Sequence, residues 1–169
     1  MPILPIRTYG DPVLRGLAKP VERFDESLGL LIGDMIDTMR DAPGVGLAGP
    51  QVGVAQRIFV YDVGEGPHVL INPEITRAEG TWSYEEGCLS VPNMYWPIDR
   101  PAEVDVEGQR ADGTRVAFHA SGLLARVMQH ELDHLNGTLL LEHLTDEQRK
   151  DAKRAIRTAL VRGGGTMSR

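Results

Sequence analysis

The sequence predicts an α+β fold in which a mostly antiparallel sheet surrounds a central, buried helix, with another helix near the C-terminus. Three observations predict it: a helical repeat of apolar residues near the N-terminus, several short β-rich segments in the middle, and a largely apolar helix after them. This order differs from the strand–helix alternation of a parallel sheet. Because the 169 residues are 41% hydrophobic and 25% charged, we expect one globular domain over residues 1–169, with a frayed tail at about 163–169.

The first helix is predicted over residues 25–40, and the strands follow it. Apolar side chains recur there at helical spacing, and Ala42-Pro43-Gly44 ends the helix. A glycine-rich loop over 44–53 leads into a strand over 57–63, which is rich in β-branched and aromatic residues. Further strands are predicted over 69–72, 78–84, 102–107 and 115–120, with Asp112-Gly113 as the turn between the last two.

Two more helices are predicted after the strands. The second runs from an N-cap at Ser121 to Leu135, and Asn136-Gly137 stops it. It is apolar on most sides, so we expect it to be central and buried. The third opens at Thr145 with the capping-box pattern Thr-Asp-Glu-Gln and extends to about Val161, before Gly163-Gly164-Gly165.

Charge is distributed unevenly along the chain. The whole chain has 18 Lys and Arg against 24 Asp and Glu, a net charge of −6. Residues 145–169 carry seven basic and three acidic side chains, so their charge is +4 and that of residues 1–144 is −10. A basic tail on an acidic body points to a polyanionic partner for the tail. The alternative is a solvated amphipathic helix that packs through Ala152, Ala155, Ile156 and Ala159.

Composition also limits the compartment. Cys88 is the single cysteine, so the chain cannot form an internal disulfide, which suits a reducing cytosol. No apolar run approaches the length of a bilayer span, and residues 1–13 lack the pattern of a signal peptide. We therefore expect a cytoplasmic protein with neither membrane nor DNA as a partner.

The strongest motif is His130-Glu131-Leu132-Asp133-His134 in the second helix. Residues four apart lie on one face of a helix, so both imidazoles can bind the same metal ion. Glu131 follows the first of them and can handle a proton on a metal-bound water. The alternative is a buried helix whose histidines are satisfied by neighbours, but these polar groups on an apolar helix need partners. The central helix is thus a candidate metal-binding helix.

The third ligand is not found where common zinc peptidases have it. Their extended pattern needs a histidine at position 140, which is Leu140, and only Glu142 and His143 lie near by. Cys88 lies upstream, in Glu-Gly-Cys-Leu-Ser, and a thiolate with two imidazoles leaves a coordination position open for water. Taken alone, Cys88 also fits a small buried hydrophobe. Cysteine and histidine ligands by themselves favour zinc.

A third segment is Gly44-Val45-Gly46-Leu47-Ala48-Gly49-Pro50-Gln51. It lacks the Lys-Ser/Thr pair of a phosphate-binding loop. Its glycines permit close approach of a backbone to an extended ligand, and the Gln51 amide can donate to a developing oxyanion. Taken alone, this segment also fits a plain turn.

Together and in this order, the three segments closely resemble the peptide deformylase family. Its patterns are G-x-G-L-A-A-x-Q, E-G-C-[LE]-S and Q-H-E-x-D-H, and the resemblance extends from about Ile6 to Leu140. The chain departs from the family at Gly49, where alanine is usual, and residues 93–96 fall in a stretch that varies among members. The resemblance implies a metal-dependent hydrolase that removes the N-formyl group from formylmethionine at the start of new peptides, releasing formate.

The resemblance also implies roles for individual residues. The metal ligands would be Cys88, His130 and His134, and Glu131 would be the catalytic carboxylate. Gln51 and the backbone N–H of Leu89 would stabilise the oxyanion. Gly46 and Gly87 would pair with the substrate backbone, and the methionine pocket would be lined by Val45, Leu123, Arg126 and Val127. Glu86 and Arg100 resemble a structural ion pair, the alternative being an exposed pair of little energetic weight.

The resemblance further implies the cofactor and partners. Ferrous iron would be the native ion, and nickel, cobalt or zinc could occupy the same site. The substrates would be N-formylmethionyl nascent peptides, and the basic C-terminal helix resembles a segment that contacts the ribosome in some members. Two other functions remain open from the residues: a metallopeptidase that cuts internal bonds, and a non-catalytic metal-binding or ribosome-binding protein.

Overall fold

A computed structural model describes residues 2–162 of the chain. The α-helices in this range are α1 (Glu26–Asp41), α2 (Gly122–Leu135) and α3 (Asp146–Arg162). The strands are β1 (Gly46–Ala48), β2 (Ile58–Tyr61), β3 (His68–Glu79), β4 (Trp82–Cys88), β5 (Val91–Arg100), β6 (Glu103–Gln109) and β7 (Arg115–Ser121). Short 3-10 helices occupy Pro12–Arg15, Gly49–Val52 and Leu140–His143. The predicted glycine stop and frayed tail at 163–169 lie outside the described residues.

The strands form two antiparallel sheets. Five of them pair in the order β1-β2-β3-β6-β7, and β4 and β5 pair with each other as a hairpin. Every ladder between these strands is antiparallel. The predicted α+β class with a mostly antiparallel sheet is therefore confirmed. Across residues 2–162, no helix is both long and apolar enough to cross a membrane.

The larger sheet lies between α1 and α2, so its inner strands are buried on both faces. On β2, Ile58 and Val60 belong to the apolar cluster that contains Met35 of α1. Phe59 and Tyr61 belong to a second cluster with α2. A strand buried on both faces needs apolar side chains at successive positions, which is why β2 is a continuous apolar run in the sequence. Helix α2 is central and buried, as predicted.

The middle of the chain differs from the prediction. Strands are predicted at 69–72 and 78–84. In the structure, one long strand, β3, extends to Glu79, and the next strand, β4, begins at Trp82. Strand β5 was not predicted, because Pro92, Asn93 and Pro97 are unfavourable in a strand interior. The hairpin tolerates them because β5 pairs with a single partner strand. The glycine-rich loop at 44–53 contains β1 and a 3-10 helix.

The helix ends show which capping predictions hold. Thr145 forms the predicted capping box, since its Oγ1 accepts from the Gln148 amide at 3.2 Å and its own amide donates to Gln148 Oε1 at 3.0 Å. Ser121 occupies the N-cap of α2, but its side chain makes no capping hydrogen bond.

Helix α3 packs more narrowly than the sequence suggests. Ala152 and Ile156 are each 2% exposed and face the rest of the molecule. Ala155, which the amphipathic interpretation also places in the packed face, is exposed. Two side chains one turn apart therefore form the centre of this contact.

Replacement of Gly137 by alanine should destabilise the fold strongly. Gly137 has a φ of +74°, and a Cβ there would lie 2.6 Å from the carbonyl oxygen of Arg15. The left-handed conformation costs alanine about 1–2 kcal/mol, and the backbone contact adds to it. We expect Gly137→Ala to lower the free energy of unfolding of the metal-loaded protein by at least about 2 kcal/mol, measured by urea denaturation at unchanged slope.

Gly29 provides a matched control with the opposite sign. It lies inside α1, is exposed, and a Cβ there would meet nothing within 4 Å. Gly29→Ala should raise the free energy of unfolding by about 0.5–1 kcal/mol, because alanine loses less conformational entropy in a helix. Equal effects of the two substitutions would contradict the packing described for Gly137.

Candidate metal centre

Three potential metal ligands meet where β4 ends against α2. Cys88 is the last residue of β4, and His130 and His134 are one turn apart on α2. Their ligand atoms all lie within 4.8 Å of one another. Cys88 Sγ is 3.3 Å from His134 Nε2, which is 3.2 Å from His130 Nε2. The fold thus brings together the three residues that the sequence analysis assigns as ligands.

The chemistry of these donors fits a first-row transition metal. Tetrahedral coordination with bonds of about 2.0–2.3 Å separates neighbouring ligand atoms by roughly 3.3–3.8 Å, close to the spacings here. Burial favours the neutral thiol of Cys88, but the nearby His134 and His130 outweigh it and hold its pKa well below the usual range. The thiolate is the form that binds metal. A set of three protein ligands leaves a position open for water or substrate.

A buried carboxylate fixes the orientation of His130. Glu86 Oε1 lies 2.9 Å from His130 Nδ1. Burial opposes ionisation of Glu86, but hydrogen bonds from His130 and Arg100 outweigh it and hold its pKa far below the usual range. A carboxylate can only accept, so Nδ1 carries the proton and donates it. The Nε2 lone pair of His130 is therefore available to a metal ion.

Glu86 is also paired with arginine, as the sequence analysis expects. Arg100 donates from Nε to Glu86 Oε2 at 2.6 Å and from Nη2 to Oε1 at 3.0 Å. The side chains are 5% and 3% exposed. The pair is therefore buried and bidentate, and the alternative of an exposed, weak pair is wrong.

Glu131 lies against the first strand of the sheet. Its side chain is 3% exposed, and its Oε1 makes no hydrogen bond within residues 2–162. A Cβ on Gly46 would lie 2.5 Å from Glu131 Oε2, so only glycine leaves room for this carboxylate. Burial raises the pKa of Glu131. A buried carboxyl group whose proton is more readily retained suits general acid–base chemistry.

The amide of Gln51 is held in one orientation beside the cysteine. Its Oε1 accepts from the backbone amide of Ala48 at 2.9 Å. The amide nitrogen must then face the other way, where Nε2 donates to Ser90 Oγ at 3.2 Å and lies 3.6 Å from Cys88 Sγ. A pre-oriented N–H donor next to a metal centre can stabilise negative charge that develops on a substrate oxygen.

These residues surround one cavity of about 510 Å³. Its wall contains the predicted site residues Val45, Gly46, Gln51, Gly87, Cys88, Leu89, Leu123, Arg126, Val127, His130 and Glu131. His134 is the predicted site residue that is absent from the wall, and it is buried behind Cys88 at 3% exposure. The cavity therefore brings the donor cluster together with apolar side chains in a space of the size that ligands occupy.

Several residues of this site are not predicted from the sequence. Ser90 positions Gln51, and Tyr84 and Tyr95 line the cavity while remaining 40% and 65% exposed. Ser90 lies inside the Glu-Gly-Cys-Leu-Ser segment, and its closeness to Cys88 was the available signal. The two tyrosines belong to the β4–β5 hairpin, so their place at the cavity depended on the strand that was not predicted.

Comparisons with known proteins agree with this geometry. A family model described as Polypeptide deformylase matches residues 3–150. The chain is 50% identical over 159 residues to the peptide deformylase of Acidothermus cellulolyticus, covering 94% of this chain and 88% of that protein. The crystal structure of a peptide deformylase from Legionella pneumophila superposes with a TM-score of 0.92 at 42% identity, covering 98% of this chain and 100% of that one. A peptide deformylase from Ehrlichia chaffeensis in complex with actinonin has a TM-score of 0.90 at 38% identity, covering 94% and 98%.

Removal of the thiol should abolish metal retention. Loss of a hydrogen bond to a metal ligand typically lowers metal affinity by roughly 10–100-fold. Cys88→Ala deletes one of the three ligands themselves, so we expect a larger fall in its affinity for a divalent ion. Metal content per chain after dialysis, measured by mass spectrometry, checks this. Ser90→Ala is the control, because it removes the hydroxyl that Gln51 contacts and no ligand. Equal metal content in the two variants would exclude Cys88 as a ligand.

Proposed function

The chain belongs to the polypeptide deformylase family, and from this premise we propose how its residues carry out the reaction. It is a metal-dependent hydrolase that removes the N-formyl group from the formylmethionine of newly made peptides and releases formate. One observation carries the assignment of roles: a Cys-His-His cluster lies beside a buried glutamate on the wall of one cavity.

Cys88, His130 and His134 would hold the metal. When bound, the ion would supply Lewis-acid polarisation of the formyl oxygen and would lower the pKa of a bound water, so that a nucleophile is available at neutral pH. The ion we propose is Fe²⁺, with Zn²⁺, Ni²⁺ or Co²⁺ as alternatives, one per chain. The family resemblance supports iron, whereas the ligand types alone favour zinc.

Glu131 moves the proton. Hydrolysis forms a bond between the water oxygen and the formyl carbon and breaks the bond between that carbon and the methionine nitrogen. The carboxylate of Glu131 accepts the proton that the water loses and delivers it to the departing nitrogen. Its raised pKa supports this double role, because the protonated form must persist long enough to donate.

Gln51 and Leu89 stabilise the charge on the formyl oxygen. The Gln51 Nε2 group is fixed next to Cys88, because Oε1 of the same amide accepts from the Ala48 backbone and Nε2 donates to Ser90. Leu89 follows Cys88 directly in the turn between β4 and β5, and we assign its backbone N–H as the second donor. Donors that are already oriented need no reorganisation as the charge develops.

The cavity binds the peptide through its backbone and its methionine. Gly46 and Gly87 lie on β1 and β4, and their backbones pair with the substrate chain. A Cβ on Gly87 would lie 2.5 Å from the Tyr95 ring, so glycine keeps this edge open. The methionine side chain lies against Val45, Leu123, Val127 and the buried stem of Arg126. A formyl carbon carries only hydrogen, so a close-fitting site excludes an acetyl group by its methyl.

Two other functions fit the geometry less well. Cleavage of internal peptide bonds is typical of sites whose ligands lie downstream of the helix motif, whereas Cys88 lies upstream. A protein that only binds metal has no need for a buried Glu131 oxygen that lacks a hydrogen bond within residues 2–162, or for an oriented Gln51 amide. Both features support catalysis.

The replacement Glu131→Gln tests the assignment. It keeps the size of the side chain and removes its ability to carry a proton, so we expect kcat to fall by about 10²–10⁴ while metal content stays unchanged. The assay is formate release from a formyl-Met tripeptide by protein purified without oxygen, with and without a chelator. The acetylated tripeptide should not react. Full turnover by the variant would exclude Glu131 as the proton carrier.

Gln51→Ala provides a graded comparison in the same assay. It removes one oxyanion donor and leaves the proton carrier in place, so we expect a loss of about 10²–10³ in kcat. Release of no formate by the metal-loaded wild-type chain would instead favour the binding-protein alternative.

Helix α3 supports a second proposal, which concerns partners. Lys150, Lys153, Arg154 and Arg157 are exposed on it, and we propose that this basic face contacts ribosomal RNA in the cytoplasm. The alternative is a solvated amphipathic helix. We further propose that residues 1–169 form one catalytic domain that includes this helix.

Charge reversal at Lys153 and Arg157 separates the two alternatives for α3. The double variant to glutamate should lose co-sedimentation with ribosomes at low salt, because phosphate attraction is removed, and should hydrolyse the free tripeptide normally. Arg115→Glu, on an exposed position of β7, is the control and should co-sediment as the wild type does. Unchanged co-sedimentation of the double variant would favour the solvated helix.

A further inference from the structure

We propose that Arg126 is a positioning residue for the metal centre: through Glu86 it holds the strand that carries Cys88 against the helix that carries His130 and His134. This inference rests on the proposed metal ligands. It gives Arg126 a role beyond lining the methionine pocket, which is the role that the family resemblance implies for it.

The guanidinium of Arg126 is directed at the β4–β5 hairpin. Its Nη1 donates to Glu86 Oε2 at 2.6 Å and to the carbonyl oxygen of Ile98 at 2.9 Å. Its Nη2 donates to the carbonyl oxygen of Trp82. Trp82 lies on β4 and Ile98 on β5, so one side chain of α2 is bonded to both strands of the hairpin.

The charge of Arg126 is not available to a substrate. Its side chain is 3% exposed, and the carboxylate of Glu86 neutralises it. The aromatic rings of Trp82 and Tyr84 lie 5.1 and 5.7 Å from its central carbon, which adds cation–π stabilisation on the side of the hairpin. What Arg126 offers the cavity is its aliphatic stem.

Arg126 and His130 are four residues apart on α2 and reach the same carboxylate. Arg126 bonds to Glu86 Oε2, and His130 Nδ1 bonds to Oε1. Glu86 precedes Cys88 by two residues on β4. Through Glu86, the strand that supplies the thiolate is therefore joined to the helix that supplies the imidazoles at two points one helical turn apart. Two points fix both the distance and the rotation of the carboxylate, which one point cannot do.

Arg100 does not make Arg126 redundant. It holds Glu86 from β5, the partner strand in the same hairpin. Its Nη1 bonds to Asp133 of α2 at 2.8 Å, so Arg100 also joins the hairpin to the helix, but it does not join the Glu86 carboxylate directly to a side chain of α2. Without Arg126, the Glu86 carboxylate would keep Arg100 and one partner on α2, His130, so its orientation relative to the helix would be held at one point. Loss of such an outer hydrogen bond typically lowers metal affinity by about 10–100-fold.

The variant Arg126→Met removes the guanidinium and keeps most of the stem that faces the cavity. We expect its dissociation constant for Co²⁺ to rise by about 10–100-fold, with a change in the visible absorption of the bound ion, since its ligand geometry relaxes. Arg126→Lys keeps a cation that can reach Glu86 and should recover part of the affinity. If the methionine variant folds poorly, the Co²⁺ dissociation constant is measured on the lysine variant instead.

A double-mutant cycle with Glu86→Gln separates positioning from general destabilisation. If Arg126 acts through Glu86, adding Arg126→Met to Glu86→Gln should weaken Co²⁺ binding by little more than Glu86→Gln alone. Arg149→Met is the matched control: Arg149 also donates to backbone carbonyl oxygens, those of Leu141 and Leu144, but it is neither a residue of the cavity wall nor bonded to Glu86. It should lower thermal stability and leave Co²⁺ affinity unchanged.

Two results would overturn the inference. One is a wild-type Co²⁺ dissociation constant in Arg126→Met, and the other is full multiplication of the two single effects in the double variant. A wrong assignment of the function would be seen in the wild-type chain itself. That chain would then bind no Co²⁺ through its thiolate, or would release no formate when loaded with metal.

Discussion

The metal centre depends on the charge balance around one buried carboxylate. The side chain of Glu86 is 3% exposed and accepts hydrogen bonds from Arg100, Arg126 and His130. Removing a carboxylate from water costs several kcal/mol, which is recovered only when its lone pairs are satisfied by good geometry. Here the satisfaction is complete, and each partner comes from an element that the site requires. The ion pairs thus specify a geometry, and their net effect on stability is secondary.

The site takes its groups from both sheets and from the helix between them. The ligand thiolate comes from the two-stranded hairpin, whereas Gly46 and Gln51, which surround the reacting groups, lie at the edge of the five-stranded sheet or directly after it. Helix α2 lies between them and supplies both imidazoles and Glu131. Each part alone has an incomplete set of groups. Packing of α2 against both sheets is therefore what assembles the chemistry.

The features that the sequence predicted correctly are those encoded locally. The helices α1 and α2, the capping box at Thr145 and the His-Glu-x-x-His motif each depend on spacings within one or two turns. Strand β5 was missed because its prolines argue against a strand unless its pairing with β4 is known. The role of Arg126 was missed for a similar reason: helical spacing places it on the face of His130, but its partner Glu86 lies 40 residues earlier in the chain. Contacts between distant segments are set by packing, which no local pattern records.

The shallow packing of α3 has a consequence for how the molecule opens. Its contact centres on Ala152 and Ile156, and residues of the catalytic cavity lie on other elements. Segments with few buried apolar contacts unfold locally at a small fraction of the global free energy. Amide hydrogens of α3 should thus exchange with solvent long before those of α2, and the two helices form separate cooperative units. The family match ends at residue 150, so most of α3 lies beyond it. Local opening of this segment therefore removes no residue from the wall of the cavity.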